Sequence, residues 1–200
     1  MSPSGGHGSV SRRKVGGRTS LPTYLIVCEG TKTEPEYFKG FKIPSVEVKG
    51  AGKNTKSLVD EAIRIKDLSE PRDHYWCVFD RDSFPAQNFN TALQKARAHG
   101  FQVAYSNECF EIWYLLHFDF FVSALARSLY ADKLADRIGR KYRKNDPALF
   151  DQLLPLQPVA LKNAAKLLTS YPQHNPEKDN PCTTVHLLVE QLRALSPPDR

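Results

Sequence analysis

"TYLIVCEGTKTEPEYF", residues 23–38, joins a run of strand-forming residues to a carboxylate and a glycine. Tyr24 to Cys28 shows no polar alternation, which is the pattern of a strand covered on both faces, as in a parallel sheet between helix layers. A charged side chain at the tip of such a strand, here Glu29, is costly to desolvate unless positive charge meets it. Residues 33–42 then return to helical spacing, so the stretch reads as strand, loop and helix.

Outward from this unit the same alternation continues. Strands are expected over 46–49, 75–80 and 102–105, and helices over 55–68, 86–99 and 108–118. Strands alternating with helices through short connections argue for βαβ units and a mainly parallel central sheet flanked by helices, an α/β fold. Gly100 sits where a helix should stop before "FQVAY", and "GAGKN" (50–54) breaks the chain before Thr55, a plausible N-cap. Beyond Phe118 strand signals vanish. Amphipathic stretches around 120–138, 158–170 and 183–195 are separated by loops such as "YPQHNPEKDNP" (171–181). Residues 1–20, rich in Gly, Ser and basic side chains, carry too little apolar surface to order themselves. The expected organisation is a disordered basic arm over 1–20, an α/β domain over 21–118 and a helical extension over 119–200 packed on it.

The chain has 200 residues and 40% hydrophobic content, enough to bury a core without disulfide staples. It has no apolar run approaching the roughly 18 residues of a membrane span, and its start lacks the hydrophobic region of a secretory signal, so a cytoplasmic location is expected. Cys28, Cys77, Cys109 and Cys182 lack metal-type pairing and read as reduced core residues. The net charge of +6 favours polyanionic partners, although location matters more than sum.

Ligands of open parallel sheets collect beyond the carboxyl ends of the strands. Glu29 follows the first strand, Asp80 and Asp82 in "WCVFDRDSF" follow the third, and Glu111 in "SNECFEIWYLLHF" opens the helix after the fourth. All four acids should therefore face one sheet edge. In extended backbone Asp80 and Asp82 share a side, where two anions repel unless a cation separates them. Glu111 shares a helix face with Tyr114, Leu115 and Phe118, and buried carboxylates are rare without a partner. A set of carboxylates without His or Cys suits Mg²⁺ or Mn²⁺ better than zinc. Blander roles stand beside this one: Glu29 suits a helix cap, "TKTE" (31–34) suits a capping box with Glu34, and an aspartate pair is a common turn device.

"RIGRKYRKN" (137–145) carries five basic residues around Tyr142, a composition suited to phosphate contacts and one stacking surface, or to a solvated helix end. Arg140, Lys141, Tyr142, Arg143 and Lys144 are the candidates there. Lys53 suits a phosphate at the following helix N-terminus, without the full Gly-rich pattern. His117 is turned from the Glu111 face and reads as a core or supporting histidine. Thr183 and Thr184 read as N-cap candidates of the last helix, with His186 left open.

An acid after the first strand and an acid-x-acid pair after a later one resembles the Toprim domain of topoisomerases, primases and OLD-family nucleases. More closely, "VCEGTKTEPEYF", "FDRDSF", "SNECFEIWYLLHF", "YRKN" and "NPCTTV", in order over about residues 23–195, resemble the RloB family, small Toprim-like proteins linked to restriction and anti-phage defence loci. The resemblance implies a Toprim-like Rossmannoid fold and a metal-dependent phosphodiesterase. Glu29, Asp80 and Asp82 fall on the Toprim acids and Glu111 on the extra acid of the nuclease branch. The family pattern has proline where Glu108 stands, which leaves Glu108 as a cap or a further ligand.

These readings lead to an expected Mg²⁺- or Mn²⁺-dependent endonuclease. RNA is favoured over duplex DNA, and related defence effectors suggest transfer RNA, because one basic segment offers no second element for clamping a duplex. Glu29, Asp80, Asp82 and Glu111 would hold metal, with Lys144 or Arg143 stabilising charge on the phosphate. The sequence has no strong ATPase motif, so an energy-using partner would be another chain, and a second copy of this chain also remains open. The rival readings are a non-catalytic nucleic-acid or partner-binding module and, as a poorer match, a haloacid-dehalogenase-like phosphatase built on "FDRDSF".

Overall fold

A computed structural model describes residues 21–81 and 85–196. The expected arm over 1–20 and the candidate ligand Asp82 lie outside the described residues. In chain order the elements are β1 (Tyr24–Cys28), α1 (Thr33–Lys39), β2 (Val46–Gly50), α2 (Thr55–Leu68), β3 (His74–Asp80), α3 (Ala86–Ala98), β4 (Gln102–Asn107) and α4 (Glu111–Leu115). They continue with α5 (Arg127–Ile138), α6 (Leu149–Leu153), a 3₁₀ turn (Leu154–Leu156), α7 (Gln157–Thr169), β5 (Cys182–Thr183) and α8 (Val185–Leu195).

The sheet order is β2-β1-β3-β4-β5; the first four strands run parallel and β5 is antiparallel to β4. Every residue of β1 is buried, as its unbroken apolar run requires. Alternation along the strands assigns the two faces. Ile26, Cys28, Trp76, Val78 and Ala104 join one core with α1, α4 and the helices that follow, including Leu134, Leu153, Ala160 and Leu188. Leu25, Val27, Cys77 and Phe79 face the other core, against Leu58 and Ala62 of α2 and Phe89 and Leu93 of α3. All four cysteines are buried and free, since each occupies a core position.

Several boundaries differ from expectation for local reasons. Helix α1 stops at Lys39; Gly40 is still helical in its dihedrals and packs against the Phe150 ring with no room for a Cβ, and the chain leaves the helical direction at Lys42, with φ 52°. The helix expected over 108–118 is α-helical only over Glu111–Leu115; i→i+3 bonds such as Trp113 N–H to Phe110 O (2.9 Å) and Phe118 N–H to Leu115 O (3.0 Å) replace it at both ends. The helix expected from residue 120 begins at Arg127, and α6 was not foreseen. Asn54, not Thr55, caps α2 by accepting the Ser57 N–H at 3.1 Å.

The C-terminal part is not wholly helical. Cys182 and Thr183 pair with Asn107 and Ser106, a strand too short to show periodicity in sequence. Thr183 is thus a strand residue that also serves the helix start: its hydroxyl donates to Tyr105 O (3.1 Å) and accepts the N–H of Val185, the first residue of α8 (3.2 Å). Thr184, at the N-cap position of α8, gives no side-chain cap and instead accepts the Tyr105 N–H at 3.0 Å. The sheet itself thus crosses the expected division at residue 118.

Candidate functional site

The carboxyl ends of β1 and β3 lie side by side, with Cys28 paired to Val78, so the residues that follow them meet at one edge. Glu29 remains in the ladder, donating its N–H to Val78 O at 2.8 Å. Its side chain spans two elements: Oε2 accepts the Asp80 N–H at 3.0 Å and Oε1 accepts the Thr55 hydroxyl at 3.1 Å. That links the ends of β1 and β3 to the start of α2.

Asp80, the last residue of β3, is buried, and Arg127 at the start of α5 reaches its Oδ2 at 3.3 Å. Burial pushes the Asp80 carboxyl well above the usual carboxylate range, Glu34 pushes it further, Arg127 opposes, and Glu111 and Glu29 add to the rise. Glu111 opens α4 and is also buried; the Tyr142 hydroxyl donates to its Oε1 at 3.1 Å, and Lys144 Nζ lies 3.9 Å from the same atom.

The expected capping role of Glu34 is not what the fold gives it. Lys32, at the N-cap position of α1, makes no side-chain cap bond, and Glu34 is buried against Gly30, close enough that a Cβ on Gly30 would strike Glu34 Oε2. Burial raises the Glu34 carboxyl, while the N–H groups of Glu34 itself and Gly30 hold it down and Glu111 adds to the rise. The clue was in the sequence: Glu34, Tyr37, Phe38 and Phe41 share the apolar face of α1, the same argument that singled out Glu111. Arg127 offered no comparable signal, because "ALARSLY" reads as an ordinary amphipathic start.

Glu29, Glu34, Asp80 and Glu111 together line a cleft of about 310 Å³, whose wall also holds Arg127, Lys144, Phe110 and residues 30–33, Lys32 among them. A side chain at residue 30 would displace the Glu34 carboxylate. The donors are all carboxylate oxygens, and after burial it is the neighbouring acids Glu34, Glu111 and Glu29 that lift the Asp80 carboxyl, so in chemistry the cleft fits a hard divalent cation. In spacing, no three acidic, His or Cys side chains among the described residues stand close enough to share one ion.

The basic candidates divide. Lys144 lines the cleft, whereas Arg140 is ion-paired with Asp146 and Lys141 and Arg143 are exposed outside the cleft wall. Tyr142 offers no stacking surface: its ring is buried beside Tyr114 and its hydroxyl holds Glu111. Lys53 is exposed in the loop after β2, one residue past Gly52, whose N–H bonds Glu29 O at 3.0 Å. Glu108 is half-buried and outside the cleft wall. His117 is a core histidine, with Nδ1 on Trp113 O at 2.9 Å and burial lowering its pKa to about 4. His186 is buried in α8, away from the cleft wall. Among the described residues, no helix is long and apolar enough to cross a membrane.

The family model described as RloB-like protein matches residues 24–192. No curated protein and no solved structure matches the chain.

Proposed function

The chain belongs to the RloB-like family, and we propose that it is a metal-dependent endonuclease that hydrolyses phosphodiester bonds, in RNA rather than duplex DNA, within restriction or anti-phage defence. One observation carries this reading: four carboxylates from three separate parts of the chain, Glu29 with Glu34, Asp80 and Glu111, line a single cleft at the carboxyl edge of a parallel sheet, with Arg127 and Lys144 in its wall. Glu29, Asp80 and Glu111, together with Asp82, would hold one or two Mg²⁺ or Mn²⁺ ions, with no three of the described acids on the same ion, and the metal would supply an acidified water and neutralise charge on the phosphate.

The chain's own residues set the rest. Tyr142 fixes the Glu111 carboxylate, Thr55 and the Asp80 N–H fix Glu29, and Gly30 lets Glu34 enter the cleft. Lys144, beside Glu111, supplies positive charge to a phosphate at the cleft mouth. The RNA preference follows from Lys144 being the sole member of the 140–144 segment that lines the cleft, a narrow grip suited to one strand. Transfer RNA is the proposed target.

The test is incubation of the purified chain with transfer RNA, single-stranded RNA and plasmid DNA under Mg²⁺ or Mn²⁺, with Asp80→Ala as control. Metal-dependent RNA cleavage lost in Asp80→Ala supports the reading; undiminished cleavage by that variant, or degradation of DNA alone, overturns it. The wide spacing of the described acids favours a second reading, a non-hydrolytic module that binds nucleic acid or a partner chain. Tight RNA binding without cleavage under either metal would select it.

A further inference from the structure

Three cations line the cleft, Lys32, Arg127 and Lys144, and Arg127 is the one that reaches Asp80. Its guanidinium reaches Asp80 Oδ2 at 3.3 Å while 46% of its side-chain surface stays exposed, against 10% for Asp80. That exposed guanidinium surface lies within reach of a ligand entering the cleft. Arginine also carries five N–H donors in a rigid fork, the geometry that suits a phosphate's oxygens. Arg127 opens α5, whose N-terminus has no side-chain cap, so the positive end of that helix lies beside the same guanidinium.

Its position relative to Lys144 completes the argument. Helix α5 begins at Arg127, and the loop after its end returns the chain to Lys144, so this one segment places a cation beside Asp80 and another beside Glu111 in one cleft wall. We infer that Arg127 is a substrate-binding residue, the second jaw of a clamp in which Arg127 and Lys144 hold a phosphodiester of a single nucleic-acid strand across the acidic cleft. The inference rests on the reading that this cleft takes a phosphodiester; it does not require that the chain cut it.

Binding is therefore read without cleavage. Fluorescence anisotropy of a labelled single-stranded oligoribonucleotide, titrated in EDTA at several salt concentrations, compares the wild-type chain with Arg127→Ala, Arg127→Gln and Arg127→Lys. Arg64→Ala is the control, because it removes an equal charge from the exposed face of α2, where Arg64 pairs with Glu61. The alanine and glutamine variants should bind about tenfold more weakly and lose about one unit of salt slope, lysine should restore part of both, and the control should match wild type.

Mn²⁺ binding to the nucleic-acid-free chain, followed by calorimetry, gives the opposite sign. Loss of a cation beside Asp80 should tighten it several-fold, whereas a merely structural role would weaken both ligands. Should Arg127→Ala fail to fold, Arg127→Gln reads the same quantities. Wild-type RNA affinity and salt slope in these variants, or weakened Mn²⁺ binding, overturn the inference. RNA binding through Arg127 by a chain that never cuts would support the clamp and remove the nuclease reading; cleavage with unchanged binding in Arg127→Ala would remove the clamp alone.

Discussion

Glu29 accepts the backbone N–H of Asp80 at 3.0 Å, so the acid that ends the first strand is held by the acid that ends the third. Because the second Glu29 oxygen accepts the Thr55 hydroxyl, the carboxylate is oriented by both of its oxygens. Glu29→Gln keeps the shape and removes the charge. It should leave the fold intact, lowering the melting temperature by no more than a few degrees, and reduce metal-dependent cleavage by about a hundredfold or more. Circular dichroism and gel-based cleavage check both halves, and a variant as active as wild type would show that this carboxylate positions nothing of consequence.

Gly30 and Glu34 are coupled through space. A Cβ at residue 30 would stand 2.4 Å from Glu34 Oε2 and 3.0 Å from its Cδ, so Gly30→Ala must drive that buried side chain aside. The expected cost is about 1–3 kcal/mol with loss of most cleavage. Glu34→Ala removes the atoms that are struck, so the double variant should be more stable than the sum of the singles predicts, by about 1 kcal/mol. Urea unfolding of the four-member cycle measures the coupling, and strict additivity would refute the clash.

How these residues came to be legible, or not, follows from the range of the signal each carries. The unbroken apolar run of β1 and the strand–helix alternation are local patterns, and the parallel sheet with Glu29 and Asp80 at its edge followed from them. Glu34 was readable by the same helical-face argument as Glu111 but was masked by the capping motif in "TKTE", a local alternative of equal strength. β5 has two residues and no period, and the inward turn of Tyr142 depends on a carboxylate 31 positions earlier in the chain. Arg127 meets Asp80 only because α5 folds back over the sheet edge, which no window of sequence contains.

Tyr142 deserves its own test because its expected and observed roles differ in outcome. Its buried hydroxyl donates to Glu111 Oε1 at 3.1 Å. Tyr142→Phe removes that donor and keeps the ring, so it should cost about 1–3 kcal/mol and loosen Glu111, lowering cleavage about tenfold with little change in RNA affinity in EDTA. Had the ring stacked on a base, the same variant would be nearly silent, since phenylalanine stacks as well. Unchanged stability and activity would argue against the Glu111 bond.

His117 gives the core an acid-sensitive point. Burial lowers its pKa from 6.5 to about 4, because the charged ring would lie among Trp113 and Tyr37 with Nε2 unbonded. The unfolded chain then binds more protons across that interval, so the contribution is complete above 6.5 and is lost as pH falls through the folded value. The whole interval corresponds to about 3 kcal/mol. His117→Phe should lose this sensitivity, so the wild-type minus variant difference in unfolding free energy should fall between neutral pH and about pH 4. A difference that stays flat would place the proton elsewhere.

Asp80 predicts the opposite slope. Its folded carboxyl sits well above the ordinary value of 3.8, first through burial, then through Glu34, with Arg127 opposing. The folded state therefore holds the proton more tightly than the unfolded chain. Stability from this group is complete below 3.8 and is lost as pH rises through the raised folded value. In EDTA, Asp80→Asn, which carries no charge to desolvate, should gain on wild type steadily as pH rises above about 4. Arg127→Ala should move the other way, widening the wild-type loss, because the cation that opposes the shift is gone. Mg²⁺ competes with the proton for the same oxygens, so its stabilisation of wild type should grow over the same rise in pH and be far smaller in Asp80→Asn. Melting curves across pH with and without Mg²⁺ test all three slopes. A difference between wild type and Asp80→Asn that is independent of pH would mean that the carboxylate is ordinarily charged in the fold, disfavoured neither by burial nor by Glu34, Glu111 and Glu29.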